Sequence, residues 1–280
     1  MDMLDPRRIQ DTLTTRVFGR ELVYLARTRS TNDVAREMAA QGAAEGTVVL
    51  AEEQTAGRGR MGRRWSAPAG ACLLCSILFR PTLPLARAQW LTMVCALAAS
   101  DAAHEVAGLR VALKWPNDLI AKAKTTNFKS KGPKAKLQGW RKLGGVLTEA
   151  GVVGERATFV VVGMGINVNV KRDALPALAP DATSFLAETG HRVDRTALLA
   201  ALLGGVEARY GRLGAGESPH AEWAARLATL GRRVRATTAG RALTGVAEAV
   251  DEDGALLLRT PDGALHRLLA GDVTLAQAKG

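Results

Sequence analysis

Four arginines and three glycines fall within nine residues, GRGRMGRRW at positions 57–65. Guanidinium groups are permanently charged planar donors suited to carboxylate and phosphate, and glycine lets a backbone approach a ligand closely. Gly57, Gly59 and Gly62 also spell G-x-G-x-x-G, the spacing of a dinucleotide-binding turn. Such a turn works because a helix opens on its last glycine and faces the pyrophosphate. Here Pro68 and Gly70 forbid a long helix and the strand-like run ACLLCSILF follows, so the dinucleotide reading fails. No G-K-[ST] follows either, which excludes a Walker A loop. What remains is a strand-to-strand turn that grips an anion, or an exposed basic turn that binds nothing specific.

Four further stretches carry polar chemistry at strand ends or helix caps, where α/β folds place their sites. KWPNDL at 114–119 leaves a strand into a Pro-constrained turn and presents Asn117 and Asp118 side by side. RKLGGVLTEA at 141–150 starts a strand with Lys142, and Gly144 and Gly145 leave room for a ligand or another backbone. GMGINVN at 163–169 ends an apolar strand in glycines and an asparagine, and RSTND at 29–33 sets hydroxyls and an amide at a helix N-terminus. Other chemistries find no support. Cys72 and Cys75 form a C-x-x-C inside a strand, where residues three apart point to opposite faces, and the four histidines are scattered without ligand spacing. No metal cage and no histidine-dependent triad can be read.

The elements that must position these residues follow from pattern. Asp5-Pro6 opens a short helix through about Thr14, and Ser30 caps a second that stops at Gly42, with Asp33 as an imperfect capping box. Strands are expected at 47–52, 71–79, 110–114, 143–149 and 158–163, and helices at 88–107, 198–213 and 221–230. From Gly231 the texture changes to short alternating segments joined by Asp253-Gly254 and Asp262-Gly263, which predicts a compact barrel of about five strands. The chain of 280 residues, 47% of them hydrophobic, can bury a substantial core. Three cysteines in so large a chain fit a reducing compartment, and the uncharged stretch 88–100 is too short to span a bilayer, so a cytoplasmic protein is expected. The net charge of +11 is local: between Leu119 and Thr148 lie eight basic residues and no acidic one. That segment, broken by Gly132 and Pro133, reads as a surface loop at about 120–141.

Taken together and in order, STN, Q-x-x-GRGR-x-G-x-x-W, KWPND, KLGG and GxGIN resemble the biotin-protein ligases over about Ser30 to Asn167. The resemblance implies an α+β fold: a mixed-sheet catalytic domain of class II synthetase-like, biotin/lipoate ligase type over residues 1–230, then a small SH3-like β-barrel over 231–280. It implies activation of biotin with ATP and Mg²⁺ to biotinyl-5′-AMP, and transfer to a lysine of a biotin carrier domain such as that of acetyl-CoA carboxylase. No covalent enzyme intermediate is needed, which agrees with the lack of a convincing nucleophile. On that model Lys142, Arg60 and Asp118 carry the catalysis, with Lys142 between the biotin carboxylate and the α-phosphate. Ser30, Thr31, Asn32 and Gln54 would hold the ureido ring, and Gly57, Arg58, Gly59, Arg60, Lys142 and Gly145 complete the biotin site. Arg58, Arg60, Trp65, Asn117, Lys142 and Asn167 would meet the nucleotide, Trp65 by stacking on adenine. No fixed metal site is expected; Mg²⁺ arrives with ATP.

Three departures stand out. Met61 takes the place of a third basic residue, the ending LAGDVTLA lacks a terminal arginine that some relatives send toward the nucleotide, and the lysine-rich loop replaces a short hairpin. That loop is expected to cover the site or to help dock an acidic carrier, a role that deletion of Lys122 to Gly139 would test. Some family members carry an N-terminal winged helix and repress transcription; with about 29 residues before STN, no sequence-specific DNA binding is expected. Family members often dimerise through the catalytic sheet. The competing readings are a nucleic-acid-binding protein using the basic loop and a lipoate or octanoate ligase on a related fold.

Overall fold

A computed structural model describes residues 3–123, 139–153, 156–238 and 241–275. Asp5 caps α1 (Pro6–Thr12), its carboxylate accepting from the Arg7 N–H, with proline in the first turn where an N–H would go unused. Next come β1 (Leu22–Thr28), α2 (Thr31–Ala40), β2 (Val48–Gln54) and β3 (Cys72–Phe79), with the glycine–arginine turn joining β2 to β3 as expected. The apolar run at 88–107 is α3 (Gln89–Ala107), stopped by Gly108 at φ 60°. Then follow β4 (Val111–Lys114), β5 (Asp118–Lys122), β6 (Trp140–Val153) and β7 (Arg156–Asn167). Four helices, α4 (Leu175–Leu178), α5 (Phe185–Thr189), α6 (Arg195–Gly214) and α7 (His220–Ala225), lead into β8 (Arg233–Thr238), β9 (Arg241–Val250), β10 (Leu256–Arg259), β11 (Leu265–Leu268) and β12 (Asp272–Leu275).

Strands β1 to β7 form one mixed sheet in the order β1-β2-β3-β7-β6-β5-β4, parallel only between β1 and β2. β3 shows how the sheet is faced. Leu73, Cys75, Ile77 and Phe79 enter the main core with α3 and α6, whereas Cys72, Leu74 and Leu78 belong to two smaller clusters on the other side. The C-x-x-C pair is thus split across the sheet, as strand geometry requires, and burial pushes both thiols up to about 12. One buried ion pair braces this core. Arg195 at the start of α6 donates to Glu52 at 2.7 Å and to the Cys72 carbonyl at 3.0 Å, and Glu52 also accepts from the Leu4 N–H at 2.7 Å.

Two strands escape the sequence reading. β1 (LVYLART) is half-buried without clean alternation, and β5 starts on the very Asp118 that pattern assigns to a turn. Because β5 runs to Lys122, which pairs with Trp140, the lysine-rich insertion is shorter than the expected 120–141. Its positions 124–138 lie outside the described residues.

The five expected C-terminal strands form an antiparallel sheet in the order β11-β10-β9-β8-β12, with both predicted Asp-Gly turns in place. β11 and β12 stand at its two edges, and the five-stranded antiparallel sheet agrees with the small SH3-like unit expected. This sheet is tied to α3 and to the β4–β5 turn by two indole donors, Trp90 to the Glu252 carbonyl at 2.7 Å and Trp115 to the Gly254 carbonyl at 2.9 Å. Trp115 sits inside KWPND, so the C-terminal turn buttresses a motif of the large sheet. Among the described residues no helix is long and apolar enough to cross a membrane.

Candidate active site

A cavity of about 330 Å³ opens on the face of the large sheet that carries α2. Its floor is glycine for steric reasons. Gly145 on β6 pairs with Gly165 on β7, and Gly163 lies two residues back on the same face. A Cβ on Gly163 would stand 2.0 Å from the Asn32 Oδ1, and one on Gly165 2.5 Å from the Trp65 ring. Gly145 is different: a Cβ there would meet only the tips of Lys142 and Asp118, at 3.6 and 3.8 Å. A Cβ on Gly144 would stand 2.6 Å from the Gly165 carbonyl of its neighbour strand, so of the expected glycine pair one serves the sheet and one the cavity.

Thirteen of the fourteen expected site residues line this cavity: Ser30, Thr31, Asn32, Gln54, Arg58, Gly59, Arg60, Trp65, Asn117, Asp118, Lys142, Gly145 and Asn167. Gly57 is the exception. It is needed where the turn folds on itself, since a Cβ would strike the Trp65 carbonyl at 2.6 Å. Lys114, Asp181, Ala182 and the C-terminal residues Asp272 and Val273 also line the cavity, without having been singled out from sequence. Asp272 reaches the mouth by pairing with Arg63 of the glycine–arginine turn.

The charged end is built around Asp118. Its carboxylate accepts from the Lys142 ammonium at 2.6 Å and from Lys114 at 3.1 Å, one oxygen to each. Burial alone would raise its pKa, but the two ammonium groups overturn that and hold the carboxyl below its ordinary value. Lys142 is placed by its backbone: its N–H donates to the Asp181 carbonyl and its carbonyl accepts from Thr183, each at 2.7 Å. Arg60 is mostly buried; desolvation lowers its pKa and the field of Asp118 opposes that. Lys142 on β6 contacts this carboxylate directly, and Arg60, on the glycine–arginine turn, lines the same cavity.

Arg58 points elsewhere. It forms a two-pronged pair with Asp33 at 2.6 and 2.8 Å and reaches Glu149 at 3.2 Å, so its guanidinium is held between acids at the cavity rim. Those bonds raise its pKa, and the bond from Arg58 lowers that of Asp33. Asp33 thus serves Arg58, not a capping box. Asn117 and Asn167 also hold protein groups: the Asn117 amide donates to the Val146 carbonyl at 2.7 Å and Asn167 to the Thr183 carbonyl at 3.0 Å. Trp65 lies on Gly165 near Leu178 and Ala179, and its indole N–H is buried without an acceptor among the described residues.

The neutral end is a hydrogen-bonded set at the α2 N-terminus. Gln54 Oε1 accepts from the Thr31 N–H at 2.8 Å, and Ser76 Oγ lies 2.8 Å from Thr31 Oγ1 and 2.6 Å from Asn32 Oδ1. Ser30 begins the helix with extended backbone and makes no side-chain cap bond among the described residues. The arrangement offers two cations around one anion at one end and directed neutral polar groups at the other. It can hold an anionic group beside a compact polar ring.

Such a site on a mixed sheet, backed by a small antiparallel sheet, defines an α+β enzyme that handles a small anionic substrate. Residues 24–167 match the Biotin/lipoate A/B protein ligase family and residues 229–275 the Biotin protein ligase C terminal domain; the chain belongs to this ligase family. It is 38% identical over 247 residues to the biotin--[acetyl-CoA-carboxylase] ligase of Paracoccus denitrificans, covering 85% of this chain and 94% of that one. The Mycobacterium tuberculosis protein of the same name is 35% identical over 278 residues, covering 96% and 95%. Among solved structures, the biotin protein ligase from Aquifex aeolicus in complex with biotin and ATP superposes with a TM-score of 0.72 at 26% identity, covering 92% of this chain and all of that one.

Proposed function

We propose that this protein is an ATP-dependent biotin-protein ligase. A biotin carboxylate oxygen attacks the α-phosphorus of ATP and pyrophosphate leaves; a carrier lysine then attacks the acyl carbon of biotinyl-5′-AMP and AMP leaves. The observation that carries the reading is one cavity lined by Arg60 from the glycine–arginine turn and by Lys142 and Lys114, which both hold Asp118. Two anions repel each other, and fixed cations between them offset that repulsion and the charge that grows on the phosphate oxygens. Before substrate arrives, Asp118 occupies the place of that negative charge. Lys114 keeps Asp118 neutralised when Lys142 turns to the substrate.

Asp118 remains ionised at neutral pH. It would draw in the carrier lysine as its ammonium; that group sheds one proton to solvent before the free amine attacks, and Asp118 takes the second as the nitrogen becomes acidic on forming the C–N bond. Ser30, Thr31, Asn32 and Gln54 receive the ureido ring, whose donors and acceptor need directed partners once buried. Gly59 and Gly145 give the ligand close approach to backbone. Asn117, Asn167 and Trp65 border the nucleotide, and the Trp65 N–H, without an acceptor among the described residues, is a donor available to it. Mg²⁺ would enter as a companion of the triphosphate, since Asp118 already holds two lysines. The carrier is the biotin domain of a carboxylase, in the cytoplasm.

The test is pyrophosphate release by the purified chain with biotin and ATP, followed by mass analysis of a carrier domain. Release that depends on biotin, with addition of one biotinyl group to one lysine, is expected. Equal release with lipoate, or none with biotin, would overturn the proposal.

A further inference from the structure

Glu149 and Ser76 do not line the cavity, yet both bond Asn32, which does. The Asn32 Nδ2 donates to Glu149 Oε2 at 2.7 Å and faces the Leu147 carbonyl at 3.4 Å, so both amide protons are engaged. Its Oδ1 lies 2.6 Å from Ser76 Oγ. An amide oxygen cannot donate, so the Ser76 proton must serve that contact, while the single Thr31 hydroxyl proton has two acceptors within reach, Ser76 Oγ at 2.8 Å and Gln54 Oε1 at 3.1 Å. Hydrogen bonding runs one way, from Ser76 through Asn32 to Glu149, and Arg58 closes it by donating to the same carboxylate at 3.2 Å. Turning the amide over would set its oxygen against the Glu149 carboxylate and the Leu147 carbonyl, acceptors with no proton to share. Only one orientation satisfies every partner, and it leaves Asn32 with a single unfilled capacity, the second lone pair of Oδ1.

We propose that Glu149 and Ser76 are positioning residues that lock the Asn32 amide as an acceptor, so that this end of the cavity selects a ring bearing N–H groups. The inference rests on the ligase reading, which places the biotin ureido ring there, and it deepens that reading by naming what enforces the choice. Neither residue contacts the ligand. Each acts through Asn32, and that gives a double-mutant signature.

The experiment is calorimetric titration of biotin without ATP, on the full chain and on Glu149→Leu, Glu149→Gln, Ser76→Ala, Asn32→Ala and the paired variants. Loss of one oriented hydrogen bond to the ring is expected to weaken biotin binding roughly tenfold in Glu149→Leu and Ser76→Ala. Glu149→Gln, which keeps an oxygen opposite the Asn32 amide, is expected to stay within about threefold of wild type. In the Asn32→Ala background both substitutions should lose their effect to within about twofold, while ATP affinity is unchanged throughout. If Glu149→Leu fails to fold by circular dichroism, the Ser76→Ala cycle decides. Full weakening that persists in the Asn32→Ala background, or no weakening at all, overturns the positioning role while wild type still binds biotin. A wild type that binds no biotin overturns the ligase reading itself.

Discussion

Removing the Lys142 ammonium should separate catalysis from folding, and the structure says by how much. In Lys142→Met the aliphatic stem remains, and the backbone bonds to Asp181 and Thr183 do not depend on the side chain. Asp118 keeps Lys114 at 3.1 Å, so no buried carboxylate is stranded. The lost pair is about a quarter exposed on the lysine side, which places its net contribution to stability at roughly 1 kcal/mol. For a chain of this size that is a fall of about 2–4 °C in the melting midpoint. The chemical step should suffer far more. Loss of one preorganised charge donor to a developing oxyanion costs about 3 kcal/mol, a hundredfold or more in rate. Because the charge develops in the transition state, the loss should fall on kcat in a pyrophosphate-release assay with saturating biotin and ATP. A variant that turns over within threefold of wild type would refute the assigned role. So would an unfolded variant, because the ion-pair argument would then have failed.

Three other substitutions or probes follow from the same geometry. Removing Glu52 takes away the carboxylate that neutralises the Arg195 guanidinium, only 3% exposed, so Glu52→Ala should lose about 3–5 kcal/mol in urea unfolding; a loss below 1 kcal/mol would contradict the bracing role. The Asp118 carboxyl is held below its ordinary value in the folded state, so its stabilising contribution is present above about pH 3.9 and is lost as pH falls through the lower folded value. Acidification from about pH 5 to pH 3 should therefore cost wild type more stability than Asp118→Asn, and parallel curves would refute the linkage. Cys72, Cys75 and Cys95 are buried, so a thiol reagent should label them only at the rate of unfolding; fast labelling of the native protein would show an open core.

Much of the site was legible because its chemistry is local. GRGR, KWPND, KLGG and STN each place a charged or polar group where glycine, proline or a helix cap fixes the backbone, and the fold brings them to one cavity. What stayed hidden is long-range. Ser76 sits in an apolar strand and Glu149 at the end of another, and only pairing of β3, β7 and β6 reveals that both bond Asn32. Arg58 and Arg60 look equivalent in sequence, yet one faces Asp33 and Glu149 while the other feels Asp118. The Asp272 contact depends on where a separate sheet docks, and β1 and β5 are short strands whose pairing, not pattern, makes them strands.

The convergence of two cations on one pair of acids is tested most directly by a crystal structure with a non-hydrolysable biotinyl-adenylate analogue. The account expects the phosphate and acyl oxygens within hydrogen-bond reach of both the Arg60 guanidinium and the Lys142 ammonium, with the ring against Asn32. A phosphate bound away from both cations, or a ring seated at the Asp118 end, would contradict it.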